Sequence, residues 1–186
     1  MNKLILFTAP SGAGKTTIVQ HLLKQFDRLS FSVSATNRKR REHEIHGKDY
    51  YFLSTTEFQR RVTRGDFLEW EEVYEKQYYG TLKREIKRVW NENKHVIFDI
   101  DVKGACSIKE AYPDTLAVFV KPPSPEVLFE RLRNRRTETE KSLQKRIKRA
   151  KLELEYENKF DLVLVNDILE DTFEKAEKIM QDFISS

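Results

Sequence analysis

Apolar residues run unbroken through residues 4–7 and return at Ile18, Val19, Leu22, Leu23 and Phe26, the pattern of a short buried strand followed by an amphipathic helix. Residues 29–81 change character. Short alternating runs at 29–35, 50–53 and 67–74 predict strands, interrupted by one helix with Ser54 and Glu57 as a capping box, Phe58 and Val62 on its inner face and Gly65 as its stop. A helix over residues 82–93 then places Ile86, Val89 and Trp90 on one face. A buried strand at 95–101, a helix at 104–112, a turn at Pro113 and Asp114 and a second buried strand at 116–120 follow. Ser124 as N-cap and Pro125 at the first helical position open the next helix. Leu143, Ile147, Ala150 and Leu154 define a long helix, and a strand at 162–165 and a helix at 171–184 close the chain. Strands alternating with helices predict an α/β fold with a parallel sheet, and residues 29–81 are an insertion within it.

A length of 186 residues suits one such domain, and 39% apolar with 34% charged residues is the balance of a soluble globular protein. The net charge of +4 is unevenly spread. Residues 131–151 hold ten Lys or Arg against two Glu, so a local basic patch is what requires explanation. The single Cys106 excludes an intrachain disulfide or a cysteine metal cluster, and it fits a packing role in a reducing compartment. With neither a secretory leader nor an apolar run of membrane-spanning length, a cytoplasmic location is expected.

Between the first strand and the first helix stand Ala9, Pro10, Ser11, Gly12, Ala13, Gly14, Lys15, Thr16 and Thr17. A loop wrapped around polyphosphate must bring consecutive backbone N–H groups to the anion, and small residues leave the necessary room. Lys15 offers an ammonium to the β- and γ-phosphates at the positive end of the helix, and Thr16 a hydroxyl to magnesium. The pattern G-x-x-x-x-G-K-[ST] departs here at its first glycine, replaced by Ala9. Alanine costs little if its φ is negative, which is expected, and about 1 kcal/mol if φ is positive. The strand at 95–101 ends in Asp99 and Asp101 on one face, at the carboxyl edge where doubly wound sheets bind ligands.

The succession APSGAGKTT, FSVSATNRKRREHEIHGKDYYF, FLEW, YYGT, FDIDVKG, RNRRTETE and VND resembles the guanylate kinase family over essentially the whole chain. The resemblance implies a three-layer P-loop core of parallel sheet (residues 1–31, 82–124 and 151–186), a β-rich GMP-binding insertion (32–81) and a helical lid (125–150). It implies ATP-dependent phosphorylation of GMP and dGMP with magnesium, a step of purine nucleotide metabolism and GMP recycling. The implied partners are ATP and GMP, with neither nucleic acid nor membrane, in a monomer or homodimer.

The family's pattern also implies the site. Arg38 and Arg41, with the hydroxyls of Tyr50 and Tyr79, hold the GMP phosphate, for which planar guanidiniums are efficient partners. Guanine presents N1–H and N2–H₂ side by side, so one carboxylate can accept both; the resemblance gives that role to Glu69, with Ser34 and Thr81 as hydroxyl contacts and Asp101 on the GMP side. Asp99 is inferred to orient magnesium or its water shell. Lys15 and the lid arginines Arg131, Arg135 and Arg146 supply charge to the moving phosphoryl group, and Asn166 is the expected adenine-side contact. Arg136 stands where the family usually carries glycine. Two rivals are a kinase of a sugar phosphate such as ribose bisphosphate, against which Ser34, Glu69 and Thr81 argue, and a non-catalytic interaction domain. Such domains commonly lose the phosphate loop, which this chain keeps.

Overall fold

The computed structural model describes residues 2–134 and 140–186. The unbroken apolar run becomes β1 (Leu4–Thr8), buried along its whole length, and the helical spacing after it becomes α1 (Lys15–Gln25). The chain continues through β2 (Leu29–Phe31), β3 (Ala35–Thr36), β4 (Tyr51–Phe52), α2 (Thr55–Thr63), β5 (Phe67–Tyr74), β6 (Gln77–Leu82) and α3 (Lys83–Asn91). Its second half holds β7 (His95–Ile100), α4 (Val102–Ala111), β8 (Leu116–Lys121), α5 (Pro125–Arg133), α6 (Glu140–Leu154), β9 (Leu162–Val165) and α7 (Leu169–Ser185).

Five strands form a parallel sheet in the order β2-β7-β1-β8-β9. Alternate residues of the buried strands face opposite layers. Ile5, Phe7, Ile97, Val118 and Val120 pack against α1, α5 and α7 through Ile18, Val19, Leu22, Leu128, Leu132, Ala176 and Met180. On the other face Leu4, Leu6, Val96, Phe98 and Phe119 pack against α3 and α4 through Ile86, Val89, Ala105 and Ile108. The core is therefore the expected α/β layering of helices on both faces of a parallel sheet.

The inserted residues form a second sheet in the order β4-β3-β6-β5, with its own small core of Ala35, Phe58, Phe67 and Leu82. The run at 29–35, expected as one strand, is two. The chain leaves the central sheet after Phe31, and at Ala35 enters the second, where it pairs with Gly80 of β6 and Tyr51 of β4. Of the expected capping box one half forms: the Ser54 hydroxyl accepts from the Glu57 N–H at 3.1 Å, while the Glu57 carboxylate turns to Arg60 and Arg61; Gly65 takes φ 68° just past the end of α2, as expected. Strand β9 has the expected bounds but forms the sheet's edge, leaving Leu162, Val163 and Val165 partly open to solvent.

Candidate active site

The carboxyl ends of β1 and β7 and the first turns of α1 and α4 converge at one edge of the central sheet. Gly12 and Gly14 have φ 94° and 92°, which turns the loop back over the start of α1. Gly14 has a second constraint: a Cβ there would lie 2.2 Å from the side-chain nitrogen of Asn166. That nitrogen donates to the carbonyl of Ala13 at 2.8 Å, so the buried Asn166, at the end of β9, braces the loop from beneath. Among the described non-glycine residues positive φ falls at Lys76 and Asn93, so Ala9 stands in the first-glycine position without left-handed strain.

A cavity at this edge is lined by Ala9 to Thr17, Asp99, Asp101 and, from α6, Arg146 and Arg149. A second cavity beside it is lined by Ser34, Tyr50, Glu69, Tyr79 and Gly80 of the inserted region. Lys15, Val73, Asp99 and Asp101 line both. Nζ of Lys15 lies 2.7 Å from Oδ1 of Asp99 and also donates to the Ile100 carbonyl. Asp101 caps α4, its Oδ1 accepting from the Gly104 N–H at 3.0 Å, while Asp99 takes no part in that cap. Thr16 is exposed at the start of α1 in the first cavity.

Glu69 sits in the wall of the second cavity, directly across the β5–β6 ladder from the buried Thr81. Its carboxylate lies against the first turn of α4 so closely that a Cβ on Gly104 would be 2.8 Å from its Oε2. Burial pushes the Glu69 carboxyl up to about 7, and the charge of Asp101 acts in the same direction. Burial also raises the Tyr50 hydroxyl to about 12, with the charge of Asp99 adding to it.

Arg38 donates through its two terminal nitrogens to the Glu44 carboxylate and through Nε to the Tyr79 hydroxyl at 3.1 Å, and it lies over the Tyr50 ring. The side-chain hydrogen bond to Arg38 lowers the Glu44 carboxyl to about 2 despite its burial. The backbone N–H of Arg41 donates to the same carboxylate, while the Arg41 side chain points to solvent. In the expected lid, Arg131 donates to the Asn166 carbonyl at 3.2 Å, and Arg146 lines the first cavity. Arg135 and Arg136 lie outside the described residues.

Two groups escaped the sequence analysis. Glu44 fixes Arg38, and its position six residues on in a charged loop carries no local signal. Arg149 lines the first cavity three residues after Arg146, and that spacing, which puts both on one side of a helix, could have pointed to it.

A phosphate loop at the edge of a parallel sheet, with a second pocket facing it across a shared wall, is the arrangement of a P-loop kinase. The guanylate kinase family model matches residues 1–183, and the chain belongs to that family, the nucleoside monophosphate kinases. It is 47% identical over 187 residues to guanylate kinase of Porphyromonas gingivalis, covering 100% of both chains. It is 44% identical to guanylate kinase of Bacteroides fragilis, over 98% of this chain and 90% of that one. The crystal structure of guanylate kinase from Anaplasma phagocytophilum superposes with a TM-score of 0.76 at 29% identity, covering 99% of this chain and 85% of that one.

Proposed function

We propose that this chain transfers the γ-phosphoryl group of ATP to GMP, releasing ADP and GDP, by direct in-line displacement. The observation that carries this reading is the wall shared by the two cavities: the phosphate loop faces one side, the pocket with Glu69 the other, and Lys15, Asp99 and Asp101 lie between. A phosphate oxygen of GMP attacks the γ-phosphorus, the bond to the β,γ-bridging oxygen breaks, and ADP leaves with that oxygen. Because the nucleophile is already a phosphate oxygen, the protein's task is alignment, exclusion of water and charge stabilisation.

In this reading Ala9 to Thr17 hold the ATP phosphates, Lys15 exchanges Asp99 for phosphate oxygens, and Arg131, Arg135 and Arg146 stabilise the moving group from a lid at residues 125–150. Asn166 acts on the donor side by holding the loop beneath ATP. The insertion at 32–81 is the acceptor site. Arg38, Tyr50 and Tyr79 take the phosphate, with Arg41 turning in from solvent to join them; Glu69 accepts from N1–H and N2–H₂ of guanine, Ser34 and Asp101 line the pocket around the base, and Thr81 stands beside Glu69 across the β5–β6 ladder. Every acceptor contact addresses base or phosphate, so dGMP is included as a substrate.

Thr16 and Asp99 are the residues that would hold magnesium, which supplies positive charge to the β- and γ-oxygens when bound. The donor set fits, since an exposed hydroxyl and a carboxylate line the same cavity, and a magnesium ion serving a nucleotide usually takes only one or two protein oxygens. Among the described residues no cluster of three His, Cys, Asp or Glu forms a dedicated metal cage.

The test is ADP release measured with a panel of acceptors: GMP, dGMP, AMP and ribose bisphosphate. The expected result is turnover of GMP and dGMP with AMP poor by orders of magnitude. Turnover of ribose bisphosphate alone would overturn the reading.

A further inference from the structure

We infer that Arg149 is a positioning residue that ties α6 to the β5–β6 hairpin, so that an occupied acceptor pocket favours closure over the phosphate loop. This rests on the proposed reading of the two cavities.

The guanidinium of Arg149 reaches three separate parts of the fold. Nε donates to Oε1 of Glu153, one turn along α6, at 2.6 Å. One terminal nitrogen donates to the backbone carbonyl of Val73 in β5 at 2.9 Å, and the group lies 5.7 Å from the Tyr74 ring centroid. The other terminal nitrogen is 3.9 Å from Oδ2 of Asp101, at the corner between β7 and α4. Glu153 therefore aims the guanidinium from behind, and the fork joins helix, hairpin and sheet edge.

The partners on the hairpin are not arbitrary. The β5–β6 register shifts between Glu72 and Tyr74, so Val73 sits at an irregularity that takes it out of the regular pairing. Such bulges re-aim backbone groups next to functional sites. Val73 and Asp101 both line the two cavities, so Arg149 holds two points of the shared wall from the phosphate-loop side. A ligand that orders Val73 and Asp101 from the acceptor side prepares the surface on which Arg149 docks. By linkage, a ligand that brings α6 down over the phosphate loop favours acceptor binding to the same degree.

The test is calorimetric binding of a non-hydrolysable ATP analogue with magnesium, with and without saturating GMP, to the wild type and to Arg149→Gln. Wild type should bind the analogue on the order of tenfold more tightly when GMP is present. Arg149→Gln should lose most of that coupling, which is the ratio of analogue affinities with and without GMP and is therefore read separately from any change in analogue affinity alone. Arg149→Lys should recover part of it, since an ammonium reaches one partner and not the whole fork. Absence of coupling in the wild type, or full coupling in Arg149→Gln, would overturn the inference. So would an equal loss of both separate affinities with a lowered Tm, the mark of a merely structural residue. Failure of GMP to bind the wild type at all would instead overturn the acceptor assignment, and the coupling would then be measured with whichever monophosphate does bind.

Discussion

Nζ of Lys15 and Oδ1 of Asp99 lie 2.7 Å apart, where the two cavities share their wall. The ammonium is thus already held at the crossing point by an acid that it can exchange for phosphate oxygens. Lys15→Ala should lower kcat by roughly two to three decades, the effect of removing one preorganised charge from a transferring group. Neither partner belongs to the apolar clusters, so the circular dichroism spectrum should be unchanged. Turnover near the wild-type rate would show that Lys15 does not serve the phosphoryl group.

The two ends of the phosphate loop should respond oppositely to exchanges of glycine and alanine. Gly14→Ala forces a side chain into φ 92° and onto the Asn166 nitrogen that braces Ala13. The left-handed conformation alone costs about 1 to 2 kcal/mol, so ATP binding should weaken by at least roughly tenfold and Tm should fall. Ala9→Gly removes no left-handed strain, because Ala9 has none. It should leave KM for ATP nearly unchanged and lower stability by about 0.5 to 1 kcal/mol through backbone entropy. Titration of both variants with ATP and a thermal melt of each check the contrast.

What was legible in the sequence was what depends on neighbours in the chain. The phosphate loop, the Ser54 and Ser124 caps and the bounds of β5 and β9 each rest on residues a few positions apart. The exposure of Leu162 and Val163 was not legible, because only the order of strands in the sheet makes β9 an edge. The break between Phe31 and Ala35 likewise follows from distant partners: residues 29–31 pair with β7, while Ala35 meets β6 and β4. Lys15, Asp99 and Glu69 are marked by motifs and line the two cavities, whereas the hold of Glu44 on Arg38 and the reach of Arg149 to Val73 are made by folding alone.

In the proposed reaction, the hold of Glu44 on Arg38 bears on binding of the acceptor phosphate. Both terminal nitrogens of Arg38 are turned to Glu44, which leaves Nε on the Tyr79 hydroxyl. Glu44→Gln keeps the shape but halves the acceptor capacity toward the fork, so Arg38 loses its fixed orientation. KM should rise on the order of tenfold for GMP and dGMP alike, since a phosphate contact carries no information about the sugar or base. The Glu44 carboxyl is depressed from 4.5 to about 2 in the folded chain. Its stabilising contribution is complete above pH 4.5 and is lost as pH falls towards 2. Acid unfolding of the variant should lack that component. A change in base preference in Glu44→Gln would contradict the phosphate role.

As the proposed reader of guanine, Glu69 should give GMP binding a pH dependence whose sign follows from its burial. The carboxyl is raised from 4.5 to about 7 in the free protein. Below that value it carries a proton and offers a donor to guanine's own donors; above it, both oxygens accept. kcat/KM for GMP should therefore fall as pH drops below about 7, approaching tenfold per unit, while KM for ATP stays flat. Stability runs the other way. A raised acid binds its proton more tightly when folded, so the free protein gives up stability as pH climbs from 4.5 through 7, and GMP should restore part of it by binding the ionised form. Glu69→Gln keeps the size of the side chain but turns an amide donor toward N1–H or N2–H₂. This mismatch should cost about 1 to 3 kcal/mol, roughly one to two decades in kcat/KM for GMP. It should also remove the step near pH 7 and narrow the preference over AMP. Initial rates with GMP and AMP from pH 5.5 to 8.5, for wild type and Glu69→Gln, decide the matter. A variant that kept both the step and the discrimination would exclude Glu69 as the base reader and move that role to Ser34 and Thr81.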